Sequence, residues 1–125
     1  MSDTTHAPLS SLELAHHCVQ FALDKKALDP IILDLNNIST ICDYLVIFSA
    51  QSEPQIKAIV NAVEKTVKDE YGRHPLAVDG FPTSQWVVMD YGDVMVHVFH
   101  EDKRGVYALE DLWSDAPQVR VIKED

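Results

Sequence analysis

The stretch Trp86-Val87-Val88-Met89-Asp90-Tyr91-Gly92-Asp93-Val94-Met95-Val96-His97-Val98-Phe99-His100 decides the fold class of this 125-residue chain. Two runs rich in β-branched and aromatic residues flank Gly92-Asp93, a two-residue turn in which glycine can take a positive φ. With Tyr91 opposite Val94, the register follows along both strands, because side chains alternate between the faces of a sheet. Val87, Met89, Tyr91, Val94, Val96 and Val98 share one side, and that side is apolar throughout. Trp86, Val88, Asp90, Met95, His97 and Phe99 share the other. Large apolar groups mixed with a carboxylate and an imidazole suit a protein interface anchored by aromatics and rimmed by polar groups. The same pattern equally suits a second core face, covered by Leu109, Leu112 and Trp113 packing over Phe99.

Two helices supply the cover that the apolar side needs. Ser10 and Glu13 have the spacing of a capping box, and Leu12, Ala15, Val19 and Ala22 form a stripe widened by Leu14, Cys18 and Phe21. This predicts a helix running to about Lys26 and stopped by Pro30. Ser52 and Gln55 repeat the capping spacing, with Pro54 in the first turn, Ile56, Ile59, Val60, Val63 and Val67 at helical intervals, and Gly72 at the end. Glu64 and Lys68 are placed for an exposed i,i+4 pair. Ile31 to Leu35 and Tyr44 to Phe48 read as strands, and Pro75 to Val78 as a short extended stretch.

The order of these elements predicts a single α/β domain over residues 9–116, with a mixed sheet of about five strands and helices mainly on one face. Residues 1–8 read as a flexible N-terminus and 117–125 as a charged, frayed tail. Hydrophobic residues at 46% and charged residues at 24% are ordinary for a packed globular domain. The longest apolar run, Tyr44 to Phe48, is far short of the roughly 20 residues of a membrane span, and Met1 to Pro8 lacks the features of a signal peptide. The cytoplasm is therefore the expected compartment. Twenty acidic against ten basic residues give a formal charge of −10, which disfavours extensive direct nucleic-acid binding and favours cationic partners.

Three strings in order, Asp43-Tyr44-Leu45-Val46-Ile47, Trp86 to His97, and Tyr107-Ala108-Leu109-Glu110-Asp111-Leu112-Trp113, resemble the Iojap-related ribosomal silencing factor family. The resemblance spans about Leu12 to Ala116. It implies a nucleotidyltransferase-like topology without transferase activity or a cofactor. It also implies binding to large-subunit ribosomal protein fourteen on the face that meets the small subunit, so that subunit joining is blocked and translation falls when nutrients are scarce. The aromatic positions carried over are Trp86, Tyr91, Tyr107 and Trp113, with Leu109 between the last two. Together with the mixed hairpin face, the expected partner-binding set is Trp86, Val88, Asp90, Tyr91, Met95, His97, Tyr107, Leu109 and Trp113. Asp79-Gly80 departs from the Glu-Gly frequent in the family, a shortening by one methylene at a rim position.

Rival readings are an enzyme and a homodimeric adaptor. Asp34, Asp90 and Asp93 could hold magnesium for nucleotidyl transfer, yet the Gly-Ser loop and Asp-x-Asp pair that such chemistry uses are missing from the sequence. Turn and strand-edge hydrogen bonding explains these carboxylates better. His16 and His17 diverge on a helix, and His97 and His100 on opposite faces of a strand, so no metal site is expected. Cys18 and Cys42 have no base at a recognisable spacing and read as buried thiols, and Ser84 lacks a nucleophile elbow. A homodimer meeting through the mixed hairpin face would use the same aromatics as ribosome docking.

Overall fold

A computed structural model describes residues 10–80, 85–103 and 113–121. The elements follow the chain as α1 (Ser11–Leu23), β1 (Leu28–Asp34), β2 (Tyr44–Ala50), α2 (Glu53–Tyr71), β3 (Ala77–Asp79), β4 (Trp86–Asp90), β5 (Val94–His100) and β6 (Gln118–Val119). One six-stranded sheet results, in the order β3-β4-β5-β2-β1-β6. The sheet is mixed, since β2 and β5 run parallel and the other neighbours antiparallel. A parallel pair requires a crossover between its strands, and α2 lies on that path.

Local chemistry accounts for the helix starts. Ser10 Oγ accepts from the Glu13 N–H while the Glu13 carboxylate accepts from the Ser10 N–H, the reciprocal box read from the sequence. On α2 the box is redirected: Ser52 Oγ accepts from the Gln55 N–H, but Gln55 Oε1 takes the Gln51 N–H and its Nε2 donates to the Lys25 and Lys26 carbonyls. Gln55 thereby ties the start of α2 to the turn that ends α1. Gly72 closes α2 in the left-handed conformation.

Four details differ from the sequence reading. Helix α1 ends at Leu23, ahead of Lys26, and Pro30 is inside β1, at a register irregularity between Leu28 and Ile31 where a proline needs no ladder partner. Leu12, assigned to the buried stripe, is 37% exposed, and the buried line is Leu14, Ala15, Cys18, Val19 and Ala22. The i,i+4 ion pair of α2 is Lys65–Asp69 at 2.7 Å in place of Glu64–Lys68. Gln118–Val119 is no frayed tail: it pairs with Leu33 and Ile32 as the sixth strand.

Two apolar clusters sandwich the sheet. The larger joins both helices to Ile32, Val46, Phe48, Val87, Met89, Tyr91, Val94, Val96 and Val98. The smaller, on the opposite face, holds Leu33, Leu35, Cys42, Leu45, Ile47, Phe99 and Ala116 and takes no residue from α1 or α2. Among the described residues, no helix is long and apolar enough to cross a membrane.

Candidate docking face

The hairpin register is the one read from the sequence: Trp86 lies opposite Phe99, Val88 opposite His97 and Asp90 opposite Met95. Directly opposed residues share a face, so the helix-free face is built in rows across the strands. Ala77, Asp90, Met95, Leu45 and Leu33 form one row; Asp79, Val88, His97, Ile47 and Ile31 form the next; Trp86, Phe99 and Ser49 form the third. Strand β3 thus adds Ala77 and Asp79, both exposed, to a face that the sequence reading confined to the hairpin.

These rows divide the face into two halves. Toward β2 and β1 it is core, where Leu33, Leu45, Ile47 and Phe99 are buried and Ala116 and a half-buried Trp113 pack on the same cluster. Toward β3 and β4 it opens, with Trp86, Val88, Asp90 and Met95 all partly exposed. The second-core alternative therefore holds for the half toward β2 and β1, and the half toward β3 and β4 is left partly exposed.

Where the halves meet, three rings form a stack. Trp86 lies 5.2 Å from Phe99 and 5.7 Å from His97, centroid to centroid, with interplanar angles of 18° and 22°. Trp86 Nε1–H donates to His97 Nδ1 at 2.9 Å. His97 is 7% exposed, and burial, which disfavours the charged imidazolium, lowers its pKa to about 4.

The remaining residues of the expected set separate. Tyr91 is not on this face: it is 3% exposed in the larger cluster beneath the helices, as its alternation with Val87 and Met89 requires. Its inclusion among partner-contact residues is corrected accordingly. Its neighbour Arg73 donates to the Tyr91 carbonyl at 2.9 Å, lies over the Tyr91 ring at 5.9 Å, and forms a two-pronged ion pair with Asp93 at 2.8 and 3.3 Å. Tyr107 and Leu109, with the motif around them, lie outside the described residues.

The groups considered for catalysis hold local structure. Asp34 accepts from the backbone and side-chain amides of Asn36, Asp90 accepts from the Gly92 N–H, and Asp93 is paired with Arg73. His17 stacks on Tyr71 and hydrogen-bonds to its hydroxyl. Burial pushes the Cys18 thiol up to about 12 and the Cys42 thiol up to about 11, far from thiolate reactivity at neutral pH. Among the described residues, no three His, Cys, Asp or Glu side chains are grouped to hold a metal ion.

The family model described as ribosomal silencing factor during starvation, RsfS, matches residues 8–125. The chain belongs to the ribosomal silencing factor family. It is 41% identical over 113 residues to the ribosomal silencing factor RsfS of Halalkalibacterium halodurans, spanning 90% of this chain and 96% of that protein. The RsfS protein of Bacillus subtilis is 45% identical over 94 residues, 75% of this chain and 79% of that one. A crystal structure from Chromobacterium violaceum shares the fold with a TM-score of 0.81 at 26% identity, covering 94% of this chain and 92% of the other. Ribosomal silencing factor membership thus extends over nearly the whole chain, the open half of the sheet included. Asp79 is the residue of that half which sequence reasoning placed only as a rim position, because the pairing of β3 with β4 leaves no local signal.

Proposed function

We propose that this chain is a ribosomal silencing factor acting in the cytoplasm by binding alone. It docks on the large ribosomal subunit through ribosomal protein fourteen, occupies the contact needed by the small subunit, and so lowers translation when nutrients are limiting. The match of the family model to residues 8–125 carries this reading. The geometry favours the open strip of Trp86, Val88, Asp90 and Met95 as the docking site, with His97 beneath it. Tyr107, Leu109 and Trp113 are retained in the proposed partner-binding set on the family resemblance alone.

No reaction is required, because a folded domain of 14.1 kDa seated at an intersubunit contact excludes the other subunit by volume. In the same reading the sheet is a nucleotidyltransferase-like scaffold put to use as a rigid platform. The charge of −10 favours a basic ribosomal protein over the surrounding RNA, which helps select the docking position.

Co-sedimentation with isolated large subunits tests the proposal. Trp86→Ala is expected to weaken association by about 2 kcal/mol, the loss of a buried aromatic anchor, and to restore subunit joining in a gradient assay. Equal pelleting of wild type and variant removes Trp86 from the site; no pelleting of either removes the function. Homodimerisation through the same strip would compete with docking, and sedimentation equilibrium of the free protein separates the two.

A further inference from the structure

We propose that His97 is a positioning residue: its Nδ1 lone pair holds the indole of Trp86 in one orientation, so that a partner meets aromatic carbon and no N–H donor. The inference rests on the docking reading above and specifies the chemistry of that same site.

Hydrogen-bond chemistry leaves little freedom here. An indole N–H can only donate, so the imidazole nitrogen 2.9 Å from Trp86 Nε1 must be unprotonated. That excludes the imidazolium and assigns the proton of the neutral ring to Nε2. Burial of His97 acts in the same direction, keeping the ring neutral throughout the physiological range. His97 also stacks on Phe99, with centroids 6.1 Å apart at 15°, so its ring is itself fixed by a fully buried neighbour. Phe99, His97 and Trp86 thus form a chain of constraint running from the core to the partly exposed indole.

Two consequences follow for recognition. A tryptophan held before the partner arrives loses less side-chain freedom on binding, which strengthens association without any new contact. Because the indole N–H is satisfied internally, a partner does not need to supply an acceptor at that point. Val88 lies in the adjoining row and Met95 in the row beyond it, so the patch that fits is an apolar surface of a protein. The sugar–phosphate edge of an RNA, which offers acceptors, fits it poorly.

Two substitutions separate the lone pair from the ring. His97→Phe keeps an aromatic ring in the stack but has no acceptor, whereas His97→Asn loses the ring but places Oδ1 near the position of Nδ1. Each is made in the full chain, with Trp86→Ala as control. The indole N–H is followed by NMR for its shift and hydrogen exchange, and binding by co-sedimentation with isolated large subunits. For His97→Phe, exchange at the indole is expected to accelerate at least about tenfold and the dissociation constant to rise about tenfold. For His97→Asn, both should return to within about threefold of wild type. The proposal is overturned if His97→Phe exposes the indole N–H yet binds as wild type does, or if the wild-type indole N–H exchanges as freely as in an unfolded chain. Failure of wild type to pellet, or equal pelleting by Trp86→Ala, overturns the docking reading and the recognition role with it. The exchange data still decide separately whether His97 holds the ring.

Discussion

At the scale of single residues, two buried polar groups depart from the satisfied norm in opposite ways. Tyr91 Oη is buried and finds no hydrogen-bond partner among the described residues, and burial raises the Tyr91 pKa above its ordinary value. An unsatisfied buried hydroxyl costs on the order of 1 kcal/mol or more. Tyr91→Phe is therefore expected to stabilise the fold by about 1 kcal/mol, read as an upward shift of the thermal midpoint. His97 is satisfied only while neutral. Its folded pKa of about 4 is below the ordinary 6.5, so between those values the unfolded chain binds a proton that the native state refuses. Stability from this site is full above about pH 6.5, declines as pH falls through the window, and is gone below about pH 4, by at most about 3 kcal/mol. Urea unfolding across that range should show a shallower decline for His97→Phe than for wild type; parallel curves would refute the assignment.

At the scale of elements, the approach of the β3 segment to β4 depends on a missing side chain. Gly80 has φ +114°, and a Cβ there would be 2.2 Å from the Trp86 carbonyl oxygen and 3.0 Å from Val87 Cα. Both are backbone atoms within the sheet, so neither can swing aside as a side-chain tip would. Gly80→Ala is expected to cost about 2 kcal/mol or more, from clash and an unfavourable φ together. Because the atom displaced belongs to Trp86, the variant should also weaken pelleting with large subunits beyond the loss explained by its unfolded fraction. The same short strand brings Asp79 opposite Val88 and Ala77 opposite Asp90, placing two carboxylates around the apolar strip. At the proposed docking site their contribution is electrostatic and therefore sensitive to salt. Replacing both with Asn leaves Asp90's hydrogen bond to Gly92 available through the amide oxygen. The double variant should associate more slowly at low salt and show a flatter salt dependence than wild type.

At the scale of the whole molecule, among the described residues the sheet is closed on one face by α1 and α2 and only half closed on the other. The asymmetry makes one strip a rigid platform: its side chains stand on strands whose reverse is the main core, and packed cores resist deformation. The steric exclusion proposed above requires rigidity and bulk, and this architecture supplies both.

Much of this organisation was legible in the chain by itself. The capping residues Ser10 and Ser52, the helical spacing of Ile56 to Val67, and the turn at Gly92-Asp93 act over a few neighbours, so their outcome is written locally. Alternation along β4 and β5 likewise put Tyr91 with the core-facing valines, and its place beneath the helices follows from that pattern. What only the tertiary structure decided involves partners far apart in sequence. The pairing of β6 with β1 and the covering of Phe99 and Leu45 beside Ala116 depend on how strands are ordered. The entry of Asp79 into the open strip and the hydrogen bond that joins Trp86 to His97 are settled by strand pairing and side-chain geometry that the residue pattern does not specify. Strand order is set by burial summed over the whole core, to which no single segment contributes a recognisable local mark.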